Sequence, residues 1–413
     1  MLLSKKSPTA FHAVEEMQAR LTEDGFQVLS EKEHWKLTPG GKYVVTRNHS
    51  ALIAFTIPEK ESWKFHIIAS HSDSPSFKIK ENPEIVVEKT YVKLNVEKYG
   101  GMLMAPWFDR PLSIAGRVIV RKDGKLEEKL IDFDRNLVMI PNLAIHMNRE
   151  ANSGVSYNPQ KDMLPLFSMG GSDVSLQKLL STQLDVEEKD ILSHDLFLYN
   201  RMEGSIWGAE NEFASSARLD DLQCAFASLK GFLGAQKQDC IAVHCVLDNE
   251  EVGSGTKQGA ASTFLKDTLL RINSGLGRTY EEYLMTLADS FMISADNAHA
   301  LHPNYTDKAD PVNHPLLNKG IVIKYNANQK YCTDAVSAAV FKDLCDRAGV
   351  PWQTFVNRSD IPGGSTLGNI SNTQVPMNTV DIGLPQLSMH SPYETAGVRD
   401  TEYFVKAAKE FFA

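Results

Sequence analysis

Two adjacent carboxylates, Glu250 and Glu251, follow the apolar run Ile241-Ala242-Val243-His244-Cys245-Val246-Leu247 and stand just before Gly253. Such a run reads as a buried strand. Neighbouring acids at a strand end repel each other unless a cation lies beside them. Open α/β sheets bind their ligands at the carboxyl ends of strands, so a metal ion is the simplest cation to expect there. The arrangement recurs along the chain. Phe65-His66-Ile67-Ile68-Ala69-Ser70 ends in His71-Ser72-Asp73, and Phe291-Met292-Ile293-Ser294-Ala295 ends in Asp296. Val380-Asp381-Ile382-Gly383 leads on to His390. Asp220 opens a helical pattern in which Leu222, Ala225, Phe226, Leu229, Phe232 and Leu233 recur at three- and four-residue steps.

Imidazole nitrogen and carboxylate oxygen together suit zinc, and catalytic zinc keeps one position open for water. The set is large enough for two zinc ions. Two metals need a shared ligand, and Asp220 is the expected carboxylate bridge. Asp73, two residues beyond His71, is placed to orient that ring. Taken singly, each residue has an ordinary reading: Asp220 as a helix cap, Glu250-Glu251 as a solvated pair, His390 as a loop histidine. Taken together, their recurrence after apolar runs favours a metal site. Water held by two such ions loses a proton near neutral pH, and a neighbouring glutamate can take it up. Cobalt or manganese could substitute, since affinity order and availability compete.

These ligands need a scaffold that brings strand ends together. Apolar runs alternating with helical patterns predict an α/β fold, and 413 residues are too many for one ordinary core. Residues 81–214 carry no expected metal ligand. They contain β-like runs such as Glu84-Ile85-Val86-Val87-Glu88 and Ala115-Gly116-Arg117-Val118-Ile119-Val120-Arg121. They read as an inserted β-rich domain, leaving a discontinuous catalytic domain of residues 1–80 and 215–413. A last helix is expected from near Asp400, with Tyr403, Phe404, Ala407, Ala408 and Phe411 on one face.

Composition narrows the class further. A formal charge of -9, with no basic clusters, disfavours nucleic acid. Five cysteines without a Cys-x-x-Cys pair point to a reducing, cytoplasmic setting. The first residues lack an apolar signal core, and no apolar stretch is long enough to cross a bilayer. There is no His-Glu-x-x-His helix, Gly-x-Ser-x-Gly elbow or phosphate loop.

Longer blocks carry a resemblance. His71-Ser72-Asp73-Ser74-Pro75, Arg218-Leu219-Asp220-Asp221, Asp248-Asn249-Glu250-Glu251-Val252-Gly253-Ser254, Ser294 to Tyr305 and Pro385 to Ser391 are similar to signature blocks of the aspartyl aminopeptidase family. Ser7 to His12, Tyr99-Gly100-Gly101, Trp107-Phe108-Asp109-Arg110 and Pro141 to Arg149 agree with it in the same order. The resemblance implies a zinc-exopeptidase-like mixed sheet flanked by helices, with the inserted β-rich domain making a dimer contact. It implies one zinc on His71, Asp220 and Asp296, and a second on Asp220, Glu251 and His390. It implies Glu250 as general base, Asp73 as support for His71, and His146 of the partner subunit as a stabiliser of the transition state. Lys324, Tyr331 and His299 would lie near the substrate. The implied assembly is a homo-oligomer, a dodecamer built from dimers, acting on peptides with a free N-terminus. Around Asp360-Ile361-Pro362-Gly363-Gly364 the chain resembles bacterial members more than eukaryotic ones. Gly364, free of a side chain, could admit a close approach of substrate.

The expected function is therefore a zinc aminopeptidase, with Asp or Glu as the first-choice N-terminal residue and neutral residues as the alternative. A binuclear phosphoesterase or deacylase would use a similar ligand set. A non-catalytic metal-binding assembly protein would have no use for an extra acid beside a ligand.

Overall fold

The computed structural model describes residues 2–171, 173–236 and 239–413; Met1, Ser172, Lys237 and Gln238 lie outside the described residues. The chain divides into two compact units. The first comprises Met1–Asp73, Gly204–Met389 and Glu394–Ala413, and the second Ser74–Glu203 with His390–Tyr393.

The first unit is organised by a nine-stranded mixed sheet. Its central strands are Ile241–Leu247, Phe65–His71, Phe291–Ala295 and Asn378–Gly383, each parallel to the next. Parallel strands are covered on both faces and so read as continuous apolar runs; every residue of Ile241–Leu247 is buried. Leu247 pairs with His71, and Ala69 with Ser294, so these strands finish side by side. Ile321–Tyr325 runs antiparallel beside Asn378–Gly383. Side chains alternate between two apolar layers. Ile68, Val246, Ile293, Val380 and Ile382 meet the helices Ala10–Glu23, Leu219–Gly234, Ala335–Ala348 and Asp400–Phe411. Ile67, Cys245, Leu247 and Met292 face Phe264–Gly275, Tyr280–Ala288 and Leu367–Ser371. Capping boxes fix two of these helix starts, Thr279 with Glu282 and Asp334 with Ser337. The last helix buries Phe404, Ala407, Ala408 and Phe411, while Tyr403 stays partly exposed at its margin.

The second unit is built on a six-stranded antiparallel sheet whose longest strands are Ser76–Val87, Leu112–Lys122 and Ile191–Asn200. Trp107, Phe108, Ile114, Leu176 and Leu196 lie in its core. The unit begins at Ser74 where the sequence suggested 81, and it ends at Glu203 where the sequence suggested 214. Two features account for the shift. Ser76–Val87 runs through residue 80 as one strand, although its register on Tyr91–Tyr99 shifts between Ile79 and Glu84. Phe213–Ser216 pairs with Glu394–Gly397 in a five-stranded sheet of the first unit.

Candidate metal centre and substrate pocket

The carboxyl edge of the parallel strands gathers the expected ligands of the first unit. His71 closes its strand and is buried. Its Nε2 lies 3.3 Å from Asp220 Oδ1 and 3.7 Å from Asp296 Oδ1. Its Nδ1 is 3.1 Å from the Asp73 carbonyl oxygen and 3.3 Å from Asp73 Oδ1. A ring that donates from Nδ1 to Asp73 presents the Nε2 lone pair to the other acids, the tautomer a metal ligand needs. His71, Asp220, Asp221 and Asp296 each offer a ligand atom within 4.8 Å of the others, and so do His71, Glu250 and Glu251.

Asp73 does more than face the ring. It accepts the Glu250 N–H at 3.1 Å on Oδ1 and the Glu251 N–H at 3.2 Å on Oδ2. One carboxylate therefore fixes both the imidazole and the turn carrying the acid pair. That turn leaves its strand through Asn249 and Gly253, both at positive φ. Asp220 and Asp221 sit in the first turn of Leu219–Gly234 but depart from helical dihedrals, so Asp220 is not a helix cap.

Two further acids belong to this environment and were not singled out from the sequence. Asp221 Oδ2 accepts the His71 N–H at 3.1 Å, and Glu394 Oε2 accepts the Asp220 N–H at 3.0 Å. Asp221 had a signal, since it stands beside Asp220. Glu394 had none beyond its closeness to His390 in sequence.

The electrostatics call for positive charge. Burial would push the His71 imidazole down, but hydrogen bonds to Asp220, Asp296 and Asp73 hold it well above its usual value. Burial, reinforced by Asp296, Asp73 and Asp220, pushes Glu250 up to about 8. Burial and the Asp220 carboxylate raise Glu251, and burial with Asp296 and Asp220 raises Asp221. Protons are attracted where a cation would otherwise neutralise the acids. A donor set of one imidazole and clustered carboxylates fits zinc.

The remaining expected residues divide between the units. His390 belongs to the second, where its Nδ1 donates to the Gly101 carbonyl and its own carbonyl accepts the Leu103 N–H. His146 also lies in the second unit, in an exposed turn closed by Met147 N–H to Ala144 O.

The family model described as "Aminopeptidase I zinc metalloprotease (M18)" matches residues 3–412. The chain belongs to the M18 aminopeptidase family. A probable M18 family aminopeptidase 2 of Clostridium acetobutylicum is 48% identical over 414 residues, covering 98% of this chain and 96% of the relative. The cryo-EM structure of the Ape4 and Nbr1 complex contains a chain 38% identical, with TM-score 0.96, covering 99% of this chain and 84% of that one. The S. cerevisiae mApe1 dodecamer is 27% identical, with TM-score 0.87, covering 99% and 94%. This M18 chain is thus a zinc-dependent aminopeptidase, a hydrolase with the α/β fold of its family.

Beside the acids of this M18 chain, Lys324 is buried rather than a solvated strand-end charge. Its Nζ lies 3.5 Å from Asp296 Oδ2 and 5.6 Å from the centre of the Tyr331 ring. Burial lowers its proton affinity, but Asp296, Tyr331 and Asp381 more than offset this and hold it charged. Tyr331 is buried beside Phe355, and the exposed ring of His299 stands edge-on to Phe355 at 6.1 Å. Gly364 is exposed, and a Cβ added there would meet nothing. His244 lies in the core, bonded to Ser228 Oγ, and His302 accepts the Asn304 N–H; neither reaches the acids named above. Among the described residues no helix is long and apolar enough to cross a membrane.

Proposed function

We propose that the chain removes the N-terminal residue from peptides using two zinc ions per subunit. His71, Asp220 and Asp296 would hold one, and Asp220, Glu251 and His390 the other. The observation that carries this reading is the convergence of His71, Asp220 and Asp296, with Glu250 and Glu251 beside them. Zinc bound there would supply a Lewis acid and an acidified water, and cobalt or manganese could take its place.

The chain's own groups then do the rest. Glu250 is the general base: its carboxylate takes a proton from the attacking water and returns it to the leaving amine. Asp73 keeps His71 in the required tautomer and holds the Glu250-Glu251 turn in place. His146 of the partner subunit is assigned the role of donor to the developing oxyanion. The substrate ammonium is matched by the surrounding carboxylates, which explains why a free N-terminus is needed. Lys324 is a buried cation suited to an acidic side chain, and it supports a preference for Asp or Glu. The aromatic row Tyr331, Phe355 and His299 supports neutral residues as the second reading. The dodecameric S. cerevisiae relative supports a homo-oligomer of twelve subunits, and the proposed building block is a dimer. Five free cysteines are consistent with a cytoplasmic location.

Glu250→Gln tests the base. The variant should keep its zinc and its assembly while kcat on an aminoacyl amide falls at least about 100-fold. An unchanged kcat removes Glu250 as the base, and lost zinc makes it a ligand instead.

A further inference from the structure

Asp381 is fully buried in the strand Asn378–Gly383. A carboxylate embedded in an apolar strand must find partners, because an unpaired buried charge is costly. Its partners lie on two separate loops. Oδ1 accepts the Thr366 hydroxyl at 2.7 Å. Oδ2 accepts the Cys332 N–H at 2.6 Å and the Cys332 thiol at 2.8 Å. The Asp381 N–H donates to Thr333 Oγ1 at 2.8 Å.

Residues 326–334 carry Tyr331, next to Cys332, and residues 357–366 carry Gly363 and Gly364, two positions before Thr366. The neighbouring strand adds a third element. Val322 pairs with Gly383 and Ile323 with Ile382. One step further in that register, Lys324 stands opposite Asp381, and opposed residues of an antiparallel pair project to the same face. Asp381 also contributes to the field that keeps Lys324 charged. The following helix is shaped around the carboxylate: a Cβ on Gly368 would come within 2.6 Å of Asp381 Oδ1.

We propose that Asp381 is a positioning residue of the substrate pocket, tying the Tyr331 loop and the Gly364 loop to the strand beside Lys324. It holds no metal and touches no substrate. The proposal rests on the reading that Lys324, Tyr331 and Gly364 line the pocket.

The chemistry of asparagine supplies a discriminating variant. In Asp381→Asn, the amide oxygen can still accept from Cys332, and the amide N–H can donate to Thr366 Oγ1, because a hydroxyl accepts as well as donates. Both ties survive without the charge. Asp381→Ala loses both, and Thr366→Val cuts only one. Zinc content, oligomer size, and kcat and KM on a panel of Asp, Glu, Leu and Ala 4-nitroanilides would be measured for each. Asp381→Ala should keep wild-type zinc and assembly while KM rises about tenfold or more, since small displacements of positioning groups weigh heavily on catalysis. Thr366→Val should move KM the same way by a smaller factor, and Asp381→Asn should stay within about threefold of wild type.

An unchanged KM in folded Thr366→Val overturns the proposal, as does Asp381→Asn as impaired as Asp381→Ala, or zinc lost with KM. If Asp381→Ala fails to fold, Thr366→Val and Asp381→Asn decide the matter. Lys324→Met and Tyr331→Phe are run alongside. If they leave KM and residue preference unaltered, the pocket reading fails on its own account. If they alter both while Thr366→Val does not, Asp381 alone is refuted.

Discussion

Asp73→Asn is the sharpest perturbation of the metal centre, because it keeps the size of the side chain and removes one acceptor. Asp73 receives the Glu250 N–H on one oxygen and the Glu251 N–H on the other, and Oδ1 also faces His71 Nδ1. An asparagine has one oxygen for these donors. Whichever way it is turned, its NH2 group meets a backbone N–H. A hydrogen bond to a charged group contributes about 1.5–3 kcal/mol, and a buried donor left unpaired costs about 1–3 kcal/mol. The loss falls on the turn that aims Glu250 and Glu251 and on the ring that presents Nε2. Loss of such an orienting partner typically lowers metal affinity about 10- to 100-fold, equivalent to about 1.4–2.7 kcal/mol. The assay is zinc competition against a chromogenic chelator, followed by kcat measured with zinc restored in excess. Zinc affinity should fall by that factor, and kcat should stay low at saturating zinc because Glu250 is also displaced. A variant that binds zinc as tightly as wild type and turns over at the same rate refutes the assignment of Asp73.

Three further outcomes follow from other parts of the chain. Lys324→Met leaves the buried Asp296 without its 3.5 Å cation, so the metal-free protein should lose about 3–5 kcal/mol. The zinc-loaded protein should lose much less; equal shifts in Tm with and without chelator count against this pairing. His244 is buried and held neutral, its pKa lowered by burial from 6.5 to about 3. Its unfolded form binds a proton that the native form does not, so its contribution is present above pH 6.5 and lost as pH falls towards 3. His244→Gln should therefore flatten the acid limb of a urea-stability profile by up to about 1.4 kcal/mol per pH unit; identical slopes exclude this role. Gly231 lets the helix Leu219–Gly234 meet the last helix, since a Cβ there would lie 2.4 Å from Ala408 Cβ. Gly231→Ala should cost about 1–3 kcal/mol in the urea midpoint, and no change would mean that the helices separate freely.

The cluster of acids and His71 in the first unit was legible in the sequence because these residues interrupt or end apolar runs, a local signal. His71, Glu250, Glu251 and Asp296 stand where buried strands finish, His66 alone among those strand residues being partly exposed. Contacts made across the sheet left no such mark. Glu394 reaches the Asp220 amide from a strand distant in sequence. Asp381 looks like a flaw in an apolar strand until its partners at 332 and 366 are known. Asp221 read as part of an acidic helix start, yet it caps the amide of His71. Domain edges escaped for the same reason. Composition changes gradually along Ser76–Val87, and the pairing of Phe213–Ser216 with Glu394–Gly397 is invisible to any short window.

Charge balance joins these observations. Asp73, Asp220, Asp221, Glu251 and Asp296 crowd one strand edge with Glu250, while the ion pairs to these acids come from His71 and Lys324. With no dication bound, the edge compensates by holding protons, which is why Glu250 is raised to about 8 and Asp221 and Glu251 are raised as well. Binding zinc must displace those protons, so affinity must climb with pH. The same acids repel one another in the folded chain more than in the unfolded one. Metal binding therefore adds to folding stability.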